Sequence, residues 1–190
     1  MSVAAVPTHH RFTVDEYHRL AQLGFFAPGA RVELIDGEII EMTPIGSPHN
    51  ACVNRLAKLL FAQVGDDAIV QVQGPVRLSG IAEPVPDIAV LAYRDDFYES
   101  GKPGPEDVLF LIEVSDSTPR FDKGRKKRLY ASSGIADYWV VDLASRQVSV
   151  FAKPGPGRYG VSSSARPGDV LVPRLLPDLS APVSEIFGIR

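Results

Sequence analysis

The hydrophobic pattern of this chain changes period several times, and each change predicts an element. "FTVDEYHRLAQLG" (12–24) has helical spacing, with Thr13 placed to cap its start and Gly24 to end it. "RVELIDGEIIEM" (31–42) has two apolar-rich arms about Asp36-Gly37, the strongest short-range signal for a hairpin. In "SPHNACVNRLAKLLFAQVG" (47–65), His49, Val53, Leu56, Leu60 and Val64 fall on one stripe of a helix that should face a sheet. Residues 68–79 read as a strand interrupted at Gly74-Pro75. "DIAVLAY" (87–93) and "VLFLIEV" (108–114) read as strands joined by the polar loop 94–107, the segment expected to be most flexible.

A helix from about Asp122 to Ser133, closed by Gly134, then leads into the strand "DYWVVDL" (137–143). Strand, helix, strand in that order predicts a parallel pair. "QVSVFAK" (147–153) should turn back through Ala144–Arg146, and the Gly- and Pro-rich "PGPGRYG" and "LVPRLLPDLSAP" read as loops of a terminal appendage. The fold class expected is α/β, a mixed β-sheet flanked by α-helices. The 190 residues form one domain: an N-terminal helix and hairpin (10–43), a core (48–153) and a C-terminal appendage (154–190).

Composition narrows the classes. No apolar run approaches the ~18 residues of a membrane span, and "MSVAAVPTHH" lacks a basic stretch followed by an apolar one, so a soluble, cytoplasmic protein is expected. Cys52 is the only cysteine, which excludes an intrachain disulfide and a thiolate-rich zinc site. Net charge is −3, so any contact with nucleic acid needs a local basic patch. Arg120, Lys123, Arg125, Lys126, Lys127 and Arg128 supply one, although such a run is also what a solvated helix face looks like.

The candidate chemistry begins with "LFLIEVSDST" (109–118), an apolar run that reads as a strand buried on both faces yet ends in Glu113. A buried carboxylate needs a cation, a metal or strong donors. If the strands carrying Asp87 and Glu113 are antiparallel neighbours, the start of one meets the end of the other and the two carboxylates lie together. A hard divalent cation answers that repulsion. The plainer reading is an Asp in a Pro turn and a Glu at a strand exit, each bonded to backbone amides. On a wheel of ~100° per residue, Lys126 shares its stripe with Asp122, Leu129, Tyr130 and Ser133, whereas Arg125, Lys127 and Arg128 point away. Lys126 therefore turns toward the sheet, as a partner for Glu113 or as a lysine whose stem packs and whose head reaches water.

"VELIDGEIIEM", "PVPDIAVL", "LIEVSDST" and "KKRLYASSGIADYWVVD", in that order, resemble the Uma family of restriction-endonuclease-like proteins, within the PD-(D/E)XK nuclease superfamily. The resemblance covers roughly residues 10 to 190 and implies a restriction-endonuclease-like core. It also implies a Mg²⁺- or Mn²⁺-dependent endodeoxyribonuclease: Asp87 and Glu113 as catalytic metal ligands, the Val114 carbonyl completing the metal shell, and Glu33 as an auxiliary acid. Ser115 departs from the pattern, which has lysine there, and the inward-facing Lys126 is the substitute. Phosphate contacts fall to Lys123, Arg125, Lys127 and Arg128, with DNA as partner and a homodimer among the assemblies open to it. His49 is either a packed first-turn residue or an aid to an anion or proton step. Tyr130 and Trp139 read as core. Two other readings stay open: an inactive nuclease-like module that binds DNA or protein, as Ser115 permits, and a metal-free hydrolase with Asp87 and Glu113 as acid and base.

Overall fold

The computed structural model describes residues 9–189. Thr13 caps helix α1 (Val14–Gln22) through a reciprocal pair of bonds with Glu16. Strands β1 (Val32–Ile35) and β2 (Glu38–Glu41) form the expected hairpin, with Asp36 and Gly37 both at positive φ, as a two-residue turn of matching twist requires. Helix α2 (Ser47–Val64) buries Val53, Leu56, Leu60 and Val64 along the expected stripe.

The central sheet runs β3 (Ala68–Val72), β4 (Ile88–Ala92), β5 (Val108–Ser115), β6 (Asp137–Asp142), β7 (Gln147–Gly155), β8 (Arg158–Ala165) in spatial order. Only β5 and β6 are parallel; the other neighbours are antiparallel, so the sheet is mixed as expected. Side chains alternate across it. Ile88, Val90, Phe110, Ile112, Trp139 and Val141 pack in one core with α2 and the C-terminal helix α5 (Val183–Phe187). Ala89, Leu91, Leu111, Tyr138 and Val140 pack in a second core with Leu129 and Tyr130. By this alternation Glu113 and Ser115 share the face of Leu111, toward the helix that carries Lys126.

The structure differs from the sequence expectation in three places. The helical segment before β6 starts at Pro119, whose fixed φ suits a first turn, and runs as α3 (Pro119–Phe121), a π-helical turn (Asp122–Lys126) and α4 (Lys127–Ser132). The strand expected at 68–79 ends at Val72, where Gln73 takes positive φ ahead of Gly74-Pro75. Residues 154–165, expected to lie in an appendage, belong to the last two strands of the sheet. Short strands β9 (Val170–Leu171) and β10 (Ala181–Pro182) pair beyond them. The 94–107 connection is tied by Asp96, which accepts from Arg94 and Ser100.

Candidate active site

β4 and β5 pair as far as Ile88–Ile112, which leaves Asp87 just before one strand and Glu113 near the end of the other, at the same end of the pair. Asp87 Oδ2 accepts from the Val114 amide at 2.9 Å and meets His49 Nε2 at 3.0 Å, while Oδ1 accepts from Gln73 Nε2 at 3.2 Å. His49 stands in the first turn of α2, so the helix start, the strand start and the strand end converge on one carboxylate. Glu113 Oε1 accepts from Lys126 Nζ at 2.9 Å and from the Tyr130 hydroxyl at 2.8 Å. Lys126 Nζ also lies 3.0 Å from Glu33 Oε2, which accepts from the Val85 amide at 3.1 Å. Glu33, Asp87, Glu113 and Lys126 are 2, 5, 4 and 3 % exposed, so none of these charges is balanced by bulk water.

The charges therefore balance one another. Burial pushes the Glu113 carboxyl up to about 8, against the pull of Lys126 and helped by Asp87, Asp122 and Glu33. Burial likewise raises Asp122. Burial works against the Lys126 ammonium, but Glu113, Glu33 and Asp122 outweigh it and hold the lysine protonated well past neutrality. For Asp87, burial is outweighed by His49 and the Val114 amide, and its carboxyl stays below the usual range. The bond to Asp87 raises His49 in turn.

These groups line a pocket of about 280 Å³ that also includes Arg31, His49 and Asp122. Among the described residues, no group of three or more His, Cys, Asp or Glu side chains is arranged to hold a metal ion alone. Two carboxylates with substrate and water oxygens are a donor set of the kind that usually binds Mg²⁺, with fewer protein ligands than a structural zinc site or a calcium cage takes. Two observations fit that donor set. Glu113 Oε2 takes no hydrogen bond among the described residues, because Lys126 and Tyr130 both hold Oε1. The Val114 N–H points to Asp87 beyond the last β4–β5 pair, and a strand residue presents its carbonyl on the same side as its amide.

Lys126 thus points inward, beside Glu113, and Ser115 lies buried with its hydroxyl unpartnered. The basic cluster is divided. Lys123 pairs with Asp142 at 2.9 Å, and Arg125 reaches the hairpin, donating to Glu38 at 2.7 Å and to the Ile35 carbonyl at 2.8 Å. Lys127 sits over the Phe151 ring at 5.0 Å, and Arg128 is exposed. Three site residues escaped the sequence reading. Tyr130 is core in its ring, but its hydroxyl belongs to the Glu113 shell; its place four residues after Lys126 was the available signal. Asp122 lies on the same stripe. Gln73, taken as mid-strand, bonds Asp87 with both its main chain and its side chain, and the following Gly-Pro marked the turn. Trp139 is core throughout.

A mixed sheet flanked by helices, with acidic groups at the meeting ends of two central strands and a lysine laid across them, is a restriction-endonuclease-like α/β architecture. The chain belongs to the Uma2 family, described as "Putative restriction endonuclease", which matches residues 14–184. It is 29 % identical over 133 residues to the uncharacterized protein sll1609 of Synechocystis sp. PCC 6803, covering 67 % of this chain and 75 % of that protein. In structure it is similar to "a putative nuclease belonging to DUF820" from Anabaena variabilis ATCC 29413. The TM-score is 0.71 at 19 % identity, over 93 % of this chain and 98 % of the other. Among the described residues no helix is long and apolar enough to cross a membrane.

Proposed function

We propose that the protein is a metal-dependent endonuclease that hydrolyses phosphodiester bonds in DNA. The observation that carries this reading is the Lys126 ammonium held between Glu113 and Glu33, with Asp87 in the same pocket. The lysine missing from position 115 is supplied from the helix, which removes the main reason for reading the site as inert. Asp87, Glu113 and the Val114 carbonyl would hold Mg²⁺ or Mn²⁺. When bound, such an ion polarises the scissile phosphate and acidifies a water molecule.

The chain's own groups do the rest. Lys126, kept protonated by its carboxylates, offers an ammonium to the charge that grows on the phosphoryl oxygens. Tyr130 and Lys126 together fix the Glu113 carboxylate by one oxygen and leave the other facing the pocket. His49 and Gln73 orient Asp87 from either side, one at each carboxylate oxygen. Glu33 holds Lys126 as its second carboxylate partner and is bonded to the chain at Val85. Lys127 and Arg128 would meet the phosphate backbone, a contact that positions without reading sequence.

The test is incubation of the protein with supercoiled plasmid and Mg²⁺ or Mn²⁺, beside Asp87→Asn. Nicking by wild type that a chelator and the substitution both abolish is the expected result. Bound but intact plasmid under every divalent ion would overturn the reading in favour of a binding module.

A further inference from the structure

We propose that Arg31 takes the phosphate of the substrate in this pocket, an inference that rests on the nuclease reading and extends it to a residue not yet given a role. Arg31 stands two residues before Glu33, so the alternation of the hairpin arm puts both on one face, and both line the pocket. Its main chain is fixed, since its carbonyl accepts from the Met42 amide at 2.8 Å. Its guanidinium forms no ion pair or hydrogen bond among the described residues. Lys102, Lys123 and Arg125 each close on a carboxylate of the chain itself.

That difference matters because the pocket is acidic. Glu33, Asp87, Glu113 and Asp122 line it against Lys126, whose ammonium already sits between two carboxylates. An entering phosphodiester, itself an anion, is repelled unless a cation with unused donors meets it. Arg31 offers five N–H donors in a planar fork that fits two phosphate oxygens at once. Arg31 shares this pocket with His49, Asp87 and Glu113, so it stands beside the carboxylate site.

The experiment compares wild type with Arg31→Gln and Arg31→Lys, with Arg158→Ala on the exposed edge strand β8 as control. Binding of inorganic phosphate and of a short single-stranded oligodeoxynucleotide is measured in chelator, where nothing is cut, and the rise in melting temperature with Mn²⁺ is measured separately. Arg31→Gln is expected to bind both probes about tenfold to a hundredfold more weakly, the size of one charge-assisted contact. Arg31→Lys should recover part of that loss, and Arg158→Ala should match wild type. The Mn²⁺ response should be unchanged in all. Equal phosphate affinity in wild type and Arg31→Gln overturns the inference, as does a wild type that binds no phosphate. Phosphate held through Arg31 by a protein that cuts no DNA with any divalent ion sinks the nuclease reading and leaves the Arg31 assignment standing.

Discussion

Lys126 holds Glu33 and Glu113 at once: its Nζ is 3.0 Å from Oε2 of the first and 2.9 Å from Oε1 of the second. The two acids come from different layers, one from the hairpin and one from the central sheet. The lysine is thus a structural joint as well as a candidate catalytic group, and its removal has two separable effects.

Lys126→Ala should lower stability by about 3–5 kcal/mol, the cost of leaving buried charges unpaired, and should lower cleavage by at least ~10²–10³. Urea unfolding measures the first and single-turnover nicking the second. Adding Ser115→Lys should restore part of the activity, because position 115 shares the face of Glu113. No recovery in a double variant that folds would show that an ammonium from the strand cannot serve this site.

The metal-free protein should lose stability as pH rises from 5 toward 9. Glu113, raised from 4.5 to about 8, contributes stability that is full below pH 4.5 and is lost as pH passes about 8. His49, also raised, acts in the same direction above its ordinary value of 6.5. Lys126 is raised above 10.5 and Asp87 lowered below 3.8, so neither changes within this window. Glu113→Gln should flatten the slope of unfolding free energy against pH. A wild-type slope of zero or of opposite sign contradicts the assignment.

Divalent metal should raise the melting temperature of wild type, with about 2.7 kcal/mol of stabilisation at a hundredfold excess over Kd. Asp87→Asn and Glu113→Gln should each remove most of that rise. Near neutrality, binding should also release a proton from Glu113, which calorimetry in buffers of different ionisation enthalpy would detect. Heats that do not depend on the buffer would mean that Glu113 is already ionised.

Lys127→Ala with Arg128→Ala should weaken DNA binding uniformly across sequences and reduce the salt slope by about two, one for each phosphate contact. Turnover at saturating DNA should persist. Arg125→Ala should instead loosen the hairpin, since that side chain is bonded to Glu38 and Ile35. If Arg125→Ala alone flattens the salt slope, the guanidinium leaves the hairpin when DNA arrives.

The elements that carry the site were largely legible in the sequence, for local reasons. The Asp36-Gly37 turn, the α2 stripe and the buried strand ending in Glu113 are each written within a short window. So is the inward direction of Lys126, because Leu129 and Tyr130 follow it in regular α-helix. What was not legible depends on distant partners or on missing pattern. Arg125 turns to Glu38, 87 residues away, and nothing near it announces this. Strand β8 was missed because its side chains are mostly solvated, so its serines show no alternation. The Tyr130 hydroxyl escaped because spacing reports which face a ring occupies and not what its oxygen touches.

The π turn at Asp122–Lys126 bears on which changes of length such a site could absorb over evolutionary time. A π turn is an α-helix carrying one residue too many, and here the surplus lies between Pro119 and the lysine. Downstream, Leu129 and Tyr130 anchor the helix in the second core. Deleting a single residue such as Gly124 would let the turn relax to α-geometry with Pro119 and Lys126 keeping nearly the same places, since that residue is the surplus the turn absorbs. The regular helix beyond has no such slack: losing one residue between Lys126 and Tyr130 would turn the lysine by about 100° relative to Leu129 and Tyr130. Single-codon deletions between 122 and 125 should therefore be tolerated better than deletions between 127 and 129.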